Sequence, residues 1–170
     1  MHNTDWQRAR TDEKKNERKE AIYQAAFTLF QKNGYDKVSF NGIATEAGFT
    51  KSNMYRYFSS KEEIFLDIFA ELFEEWSQDC GKRLQELEEN EPIKSFAKTW
   101  VESLSSFPKF LDLTPMLFNS LETNSSFENL CQFKGLAMKL LYGLSLEISR
   151  VYPELQGEKA FHFLNLSHAA

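Results

Sequence analysis

Apolar positions recur at helical spacing from residue 13 to the end of the chain. Ile22, Ala25, Ala26, Leu29 and Phe30 follow the i, i+3, i+4, i+7, i+8 rule for one helix face. They predict a first helix from about Asp12 to Asn33, closed by Gly34, since glycine accepts the left-handed conformation of a C-terminal turn. One turn before the apolar stripe the same side becomes basic, at Lys15, Arg18 and Lys19. Ser39 is a good N-cap for a short helix that buries Phe40, Ile43, Ala44 and Ala47 and ends at Gly48. Thr50 can cap another, with Met54 and Phe58 pointing inward. Ser60 and Glu63 have capping-box spacing. They open a helix from Lys61 to about Cys80, roughly 30 Å long at the α-helical rise. Its apolar stripe is Ile64, Phe65, Ile68, Phe69, Leu72, Phe73 and Trp76, and its polar stripe Glu63, Asp67, Glu71, Glu74 and Gln78.

The charged stretch 82–90 either continues that helix or forms its loop, and Pro92 suits the first turn of the next. That next helix carries Phe96, Trp100, Val101 and Leu104. Pro108 and Pro115 divide 106–123 into short helices. Ser126 with Asn129 starts a long helix to about Val151, stopped by Pro153, and a last one begins near Gly157. Residues 1–12 are polar and read as an irregular arm, ordered if at all on a partner. The final pattern reaches Ala170 without a C-cap signal, so the last helices are expected to continue past the chain. An all-α fold is the economical reading, because four prolines and seven glycines are too few for a turn-rich β protein.

Charge sharpens this division. Residues 1–61 hold eleven Lys+Arg and seven Asp+Glu, a net +4, while residues 62–170 hold nine and eighteen, a net −9. The overall −5 therefore conceals a basic N-terminal part that suits a polyanion. Within that part, Lys51, Ser52, Asn53, Arg56 and Tyr57 fall on the outer face of the helix anchored by Met54 and Phe58. Small, polar, basic and tyrosyl residues let a helix approach duplex DNA closely and donate to phosphates and base edges. Residues 39–61 thus read as a helix-turn-helix followed by the start of a third helix. The plainer alternative is two core-forming helices with a solvated outer face.

The stretches AAFTLF (25–30), NGY (33–35), SFNGIA (39–44) through Gly48, and MYRYFSSKEEI (54–64) together resemble the TetR family of bacterial transcriptional regulators. The later stretch from Leu121-Glu122-Thr123-Asn124 to Phe133-Lys134 is similar to one subgroup's regulatory domain. Two positions depart from the family pattern: Ser52-Asn53 stands where Gly-Thr or Ala-Thr is common, and Gly42 lies inside a helix, where glycine costs up to about 1 kcal/mol. The resemblance implies a helix-turn-helix DNA-binding domain over 1–60 and a helical effector-binding and dimerisation domain over 61–170. It implies a homodimer, formed through the last two helices, on a palindromic operator of double-stranded DNA. Carried over to this chain, Lys51, Ser52, Tyr55 and Asn41 are the candidates for base edges. Asn53, Arg56, Tyr57 and Lys61 are the candidates for phosphates, with Ser39 and Arg18 beside them. It further implies a mostly apolar pocket for a small lipophilic effector among Phe69, Phe73, Trp76, Trp100, Phe107, Phe110, Phe118 and Phe133.

No HExxH, P-loop, GxGxxG or GxSxG pattern occurs, and His162 and His168 are six apart, off one helical face. Neither catalysis nor a cofactor or metal is expected. Cys80 and Cys131 have no CxxC spacing, so free thiols in a reducing cytoplasm are expected. No signal peptide is visible and no apolar run approaches the roughly 20 residues of a membrane span, so no membrane partner is expected. The reading is a ligand-responsive repressor. The rival from another class is an α-helical protein-interaction module that does not bind DNA.

Overall fold

The computed structural model describes the backbone of residues 3–169 and the side chains of residues 13–164. All regular structure among the described residues is helical. The helices are α1 (Asn3–Asn33), α2 (Phe40–Glu46), α3 (Lys51–Met54), α4 (Lys61–Gln85), α5 (Ile93–Ser105), α6 (Pro108–Met116), α7 (Glu122–Asn124), α8 (Phe127–Val151) and α9 (Glu158–Ala169). A 3-10 turn spans Tyr35–Lys37 and a π-helical turn Leu117–Leu121. The chain divides into two compact units, Met1–Phe65 and Leu66–Ala170.

Two helices are longer than their apolar patterns predict. α1 begins at Asn3, so the expected irregular arm is helical from that residue, while Met1 and His2 lie outside the described residues. Residues 3–12 contain neither glycine nor proline, and extending an existing helix gains a hydrogen bond per residue without a new nucleation cost. α4 continues past Cys80 to Gln85, because Cys80 and Leu84 prolong its buried stripe.

In the first unit, the core forms around Ile22, Ala26, Ile43, Met54, Ile64 and Phe65, all fully buried. Tyr23 and Phe27 join them, although the first helix's expected stripe omitted both. Tyr35 packs its ring edge on Phe65 at 5.3 Å. Glu63, expected on the polar face of α4, is buried. Its carboxylate turns back to accept from the Ser59 amide at 2.8 Å, while Ser60 Oγ accepts from the Glu63 amide at 3.1 Å. Two N-terminal donors are thereby satisfied, at the depth where an unmet one would cost most.

In the second unit, three rings stack in near-parallel planes. Phe73–Trp76, Trp76–Phe110 and Phe73–Phe110 have centroid separations of 5.9, 5.3 and 5.7 Å. Trp100 meets Trp76 edge-on at 5.7 Å. The inward position on α5 belongs to Ser103, fully buried, and not to Val101, which is 59% exposed. Periodicity favoured the valine, but the Trp76 indole needs an acceptor: its Nε1–H donates to Ser103 Oγ at 3.2 Å. At the far end of α4, Arg150 donates to the Leu84 and Leu87 carbonyls at 2.6 and 2.9 Å, capping that helix's last turn.

Replacing Ser103 with Ala removes the acceptor that the buried Trp76 indole N–H uses. We expect Ser103→Ala to lower stability by about 1–3 kcal/mol in urea unfolding. Val101→Ala should stay within about 0.5 kcal/mol of the parent.

Candidate functional site

Local caps fix α2, α3 and the turn between them. Ser39 Oγ accepts from the Gly42 amide at 3.0 Å, capping α2. A Cβ at Gly42 would lie 3.1 Å from that same oxygen, so the helix glycine leaves the cap undisturbed. α2 ends in a Schellman motif: the Phe49 amide donates to the Ala44 carbonyl at 2.8 Å and the Gly48 amide to Thr45 at 3.1 Å. Gly48 has φ +73, a conformation that side-chain-bearing residues seldom adopt. Thr50 then caps α3 by accepting from the Asn53 amide at 3.3 Å.

α3 is regular only over Lys51–Met54, shorter than the sequence pattern suggests. The chain continues as a tight turn, with Arg56 and Tyr57 amides donating to the Asn53 and Met54 carbonyls. Buried Met54 and Phe58 anchor the segment at both ends. Lys51, Ser52, Asn53, Tyr55 and Arg56 are exposed, and Tyr57 is half-buried. Tyr55 packs on Phe40 at 5.1 Å, and the Lys51 ammonium lies 5.8 Å from the Tyr55 ring. Asn41 and Ser39 are exposed on the neighbouring helix start, Ser39 with its hydroxyl engaged in the cap.

Beside α3 lies a cleft of about 330 Å³ lined by Lys14, Lys15, Arg18, Arg56 and Tyr57. Arg18 Nη1 donates to the Tyr57 hydroxyl at 3.3 Å. Among the described residues, four cations and no acid line this space, the chemistry of a phosphate contact. Lys14 was not among the expected site residues. Its spacing four before Arg18 was the available signal. Lys61 is placed differently from a free phosphate ligand. Its ammonium donates to the Tyr35 carbonyl at 3.1 Å and sits 4.3 Å from the Tyr35 ring centroid.

The second unit has a separate cleft of about 220 Å³. Of the expected pocket residues, Phe69, Phe73, Phe110, Phe118 and Phe133 line it. Trp76, Trp100 and Phe107 lie outside the lining. Trp76 backs the stack of Phe73 and Phe110, Trp100 buttresses Trp76, and Phe107 precedes α6 as its N-cap residue. The lining also takes in Thr114, Leu117, Glu122, Lys134, Ala137, Met138 and Leu141, which the sequence reading had not assigned to it. The π-helical turn gathers several of these. Pro115 sits inside α6 without an amide hydrogen, and the turn that follows it turns Leu117 and Leu121 inward while Phe118 stays 61% exposed.

Among the described residues, no group of three His, Cys, Asp or Glu is placed to hold a metal, and no helix is long and apolar enough to cross a membrane. Cys131 is exposed, whereas burial pushes the Cys80 thiol up to about 11, against a smaller opposing pull from its hydrogen bond with Ser103.

The fold and the first unit define a helix-turn-helix protein. Residues 22–68 match the profile of bacterial regulatory proteins of the tetR family, and residues 70–170 that of a tetracyclin repressor-like C-terminal domain. The chain belongs to the TetR family. It is 29% identical over 113 residues to the HTH-type transcriptional regulator YfiR of Bacillus subtilis, itself uncharacterized, covering 66% of this chain and 54% of that one. It is 31% identical over 77 residues to the fatty acid metabolism regulator protein of Bacillus subtilis, covering 45% of this chain and 36% of that one. The chain thus spans about half, or less, of the length of these curated relatives. A TetR/AcrR-family transcriptional regulator from Thermobifida fusca shares the fold at TM-score 0.50 and 20% identity, covering 79% of this chain and 69% of that one.

The thiolate is the reactive form of cysteine, and at pH 8 Cys80 holds about one part in a thousand of it. We expect a thiol reagent at pH 8 to modify Cys131 promptly in the folded chain and both cysteines in denaturant.

Proposed function

We propose that this chain is a DNA-binding transcriptional regulator that acts in the cytoplasm as a homodimer on a palindromic operator. The observation that carries this reading is the exposed run Lys51, Ser52, Asn53, Tyr55 and Arg56, clamped from beneath by Met54 and Phe58 and bordered by the basic cleft. α3 enters the major groove, where Lys51, Ser52 and Tyr55 meet base edges with Asn41 alongside. Arg56, Asn53, Tyr57, Arg18, Lys14 and Lys15 take phosphates. Lys61 contributes its remaining ammonium hydrogens from its seat on Tyr35. A two-fold protein reads half-sites one helical turn, about 34–36 Å, or a multiple apart.

The dimer surface we assign is the outer face of α8. Phe127, Met138, Tyr142 and Leu146 are exposed apolar residues at spacings of 11, 4 and 4 along this helix. They follow one side of the helix over roughly 28 Å, with Lys134 between the first two. Such a stripe is larger than the scattered apolar residues of a monomer surface and suits an isologous contact.

The chain acts as a repressor released by a small apolar effector in the aromatic cleft of the second unit. α4 runs from Lys61, beside the DNA-binding segment, to Phe69 and Phe73 in the cleft lining, so it is the element through which the two events communicate. An effector can shift DNA binding only by its differential affinity for two states, typically about 1–3 kcal/mol. The name of one relative, the fatty acid metabolism regulator protein, is in keeping with an apolar effector. The rival, an interaction module without DNA binding, lacks a use for a four-cation cleft beside α3.

Selection from a random duplex pool with the whole chain should return a two-fold symmetric site. Affinity for that site should fall with salt at a log–log slope of about −0.9 per phosphate contact, and Lys15→Ala with Arg56→Ala should flatten it by about 1.8. Salt-independent binding to every duplex would sink this reading in favour of its rival. Tyr142→Glu with Leu146→Glu should yield a monomer in sedimentation, with unchanged helicity and greatly weakened operator binding.

A further inference from the structure

Two charged side chains stand in the lining of the aromatic cleft. Glu122, at the start of α7, keeps 17% of its side chain exposed, and Lys134, on α8, keeps 50%. The Lys134 ammonium donates to Glu122 Oε1 at 2.5 Å. The same ammonium lies 5.9 Å from the Phe118 ring centroid and 6.0 Å from that of Phe133. A countercharge and two ring faces are what a cation requires on leaving water.

In this structure Lys134 is that cation, but it is not bound to the place. Its ammonium rides on a flexible four-carbon stem, and the side chain is half exposed, so the ammonium has a ready route into water. Glu122 is mostly buried and cannot follow it. Its carboxylate would be left without a counter-ion and would favour any cation that replaced the lysine. We infer that the cleft takes a compact organic cation, which displaces Lys134 from Glu122 and lies against Phe118 and Phe133. This rests on the reading of the cleft as an effector site and adds a cationic head to the apolar body proposed there.

Size and sign both bear on the choice. The cleft, at about 220 Å³, is smaller than the roughly 300–1,000 Å³ of sites for drug-sized ligands, so it suits a single ring with a small ammonium head. An anion paired with Lys134 would face the Glu122 carboxylate and the electron-rich faces of the phenylalanines. A cation meets attraction from both.

The test uses the whole chain and three small probes: benzyltrimethylammonium, its uncharged carbon isostere neopentylbenzene, and phenylacetate. Calorimetry gives affinity, and tryptophan fluorescence reports on the cleft because Trp76 stacks on Phe73 and Phe110. The cation should bind at least about tenfold more tightly than its isostere. Lys134→Ala should tighten the cation several-fold, and Glu122→Gln should weaken it about tenfold, with both variants keeping the parent's helical circular dichroism. Phenylacetate binding most tightly, and losing that binding in Lys134→Ala, would overturn the inference. Equal binding of cation and isostere in all three proteins would overturn it too, while leaving an apolar effector site in place. No binding by any probe would overturn both the inference and the effector reading.

Discussion

The exposed surface of α3 depends on holding a very short helix still. A four-residue helix has almost no stability of its own, since nucleation costs more than one or two hydrogen bonds return. α3 persists because Met54 and Phe58 bury on its inner side, Thr50 caps its start, and the Schellman motif at Gly48 sets the direction of entry. With the inner side and both ends secured, the outer side is free to be polar. Lys51, Ser52, Asn53 and Arg56 carry no structural duty in the core, and this is why chemistry suited to a nucleic acid can be placed there.

The second unit follows a related logic with a different result. Its stack of Phe73, Trp76 and Phe110 is both core and wall: one side packs on Trp100 and Ser103, the other lines the cleft. A cavity in a protein interior costs lost contacts, so it survives only beside rigid packing. Stacked rings held by the Trp76–Ser103 hydrogen bond provide that rigidity. The π-helical turn after Pro115 adds the rest by bringing Leu117 inward and leaving Phe118 at the mouth.

Local signals were legible where one residue has one physical use. Ser39, Thr50 and Ser126 act as the caps their positions predict, and Gly34, Gly48 and Gly157 take positive φ at helix ends. Met54 and Phe58 are buried together as their spacing requires. Periodicity was less able to decide between neighbours on one helix. It preferred Val101 to Ser103, because a hydropathy pattern contains no information about an indole N–H arriving from another helix. It placed Glu63 on the polar stripe, although the capping-box spacing of Ser60 and Glu63 already signalled the return of the carboxylate to the chain before the helix.

The same limit separates the two candidate sites. The helix-turn-helix lies within about twenty-five consecutive residues and answers to capping and helical-period rules, so the linear sequence determined it along with the all-α character of the chain. The clefts are built from residues far apart in the chain: Lys14 with Arg56, and Phe69 with Lys134. Which aromatics line a cavity and which merely support it, and that Glu122 meets Lys134 there, were decided by tertiary packing alone. Side chains of identical type and periodicity differ only in what lies opposite them, and that is a property of the folded chain.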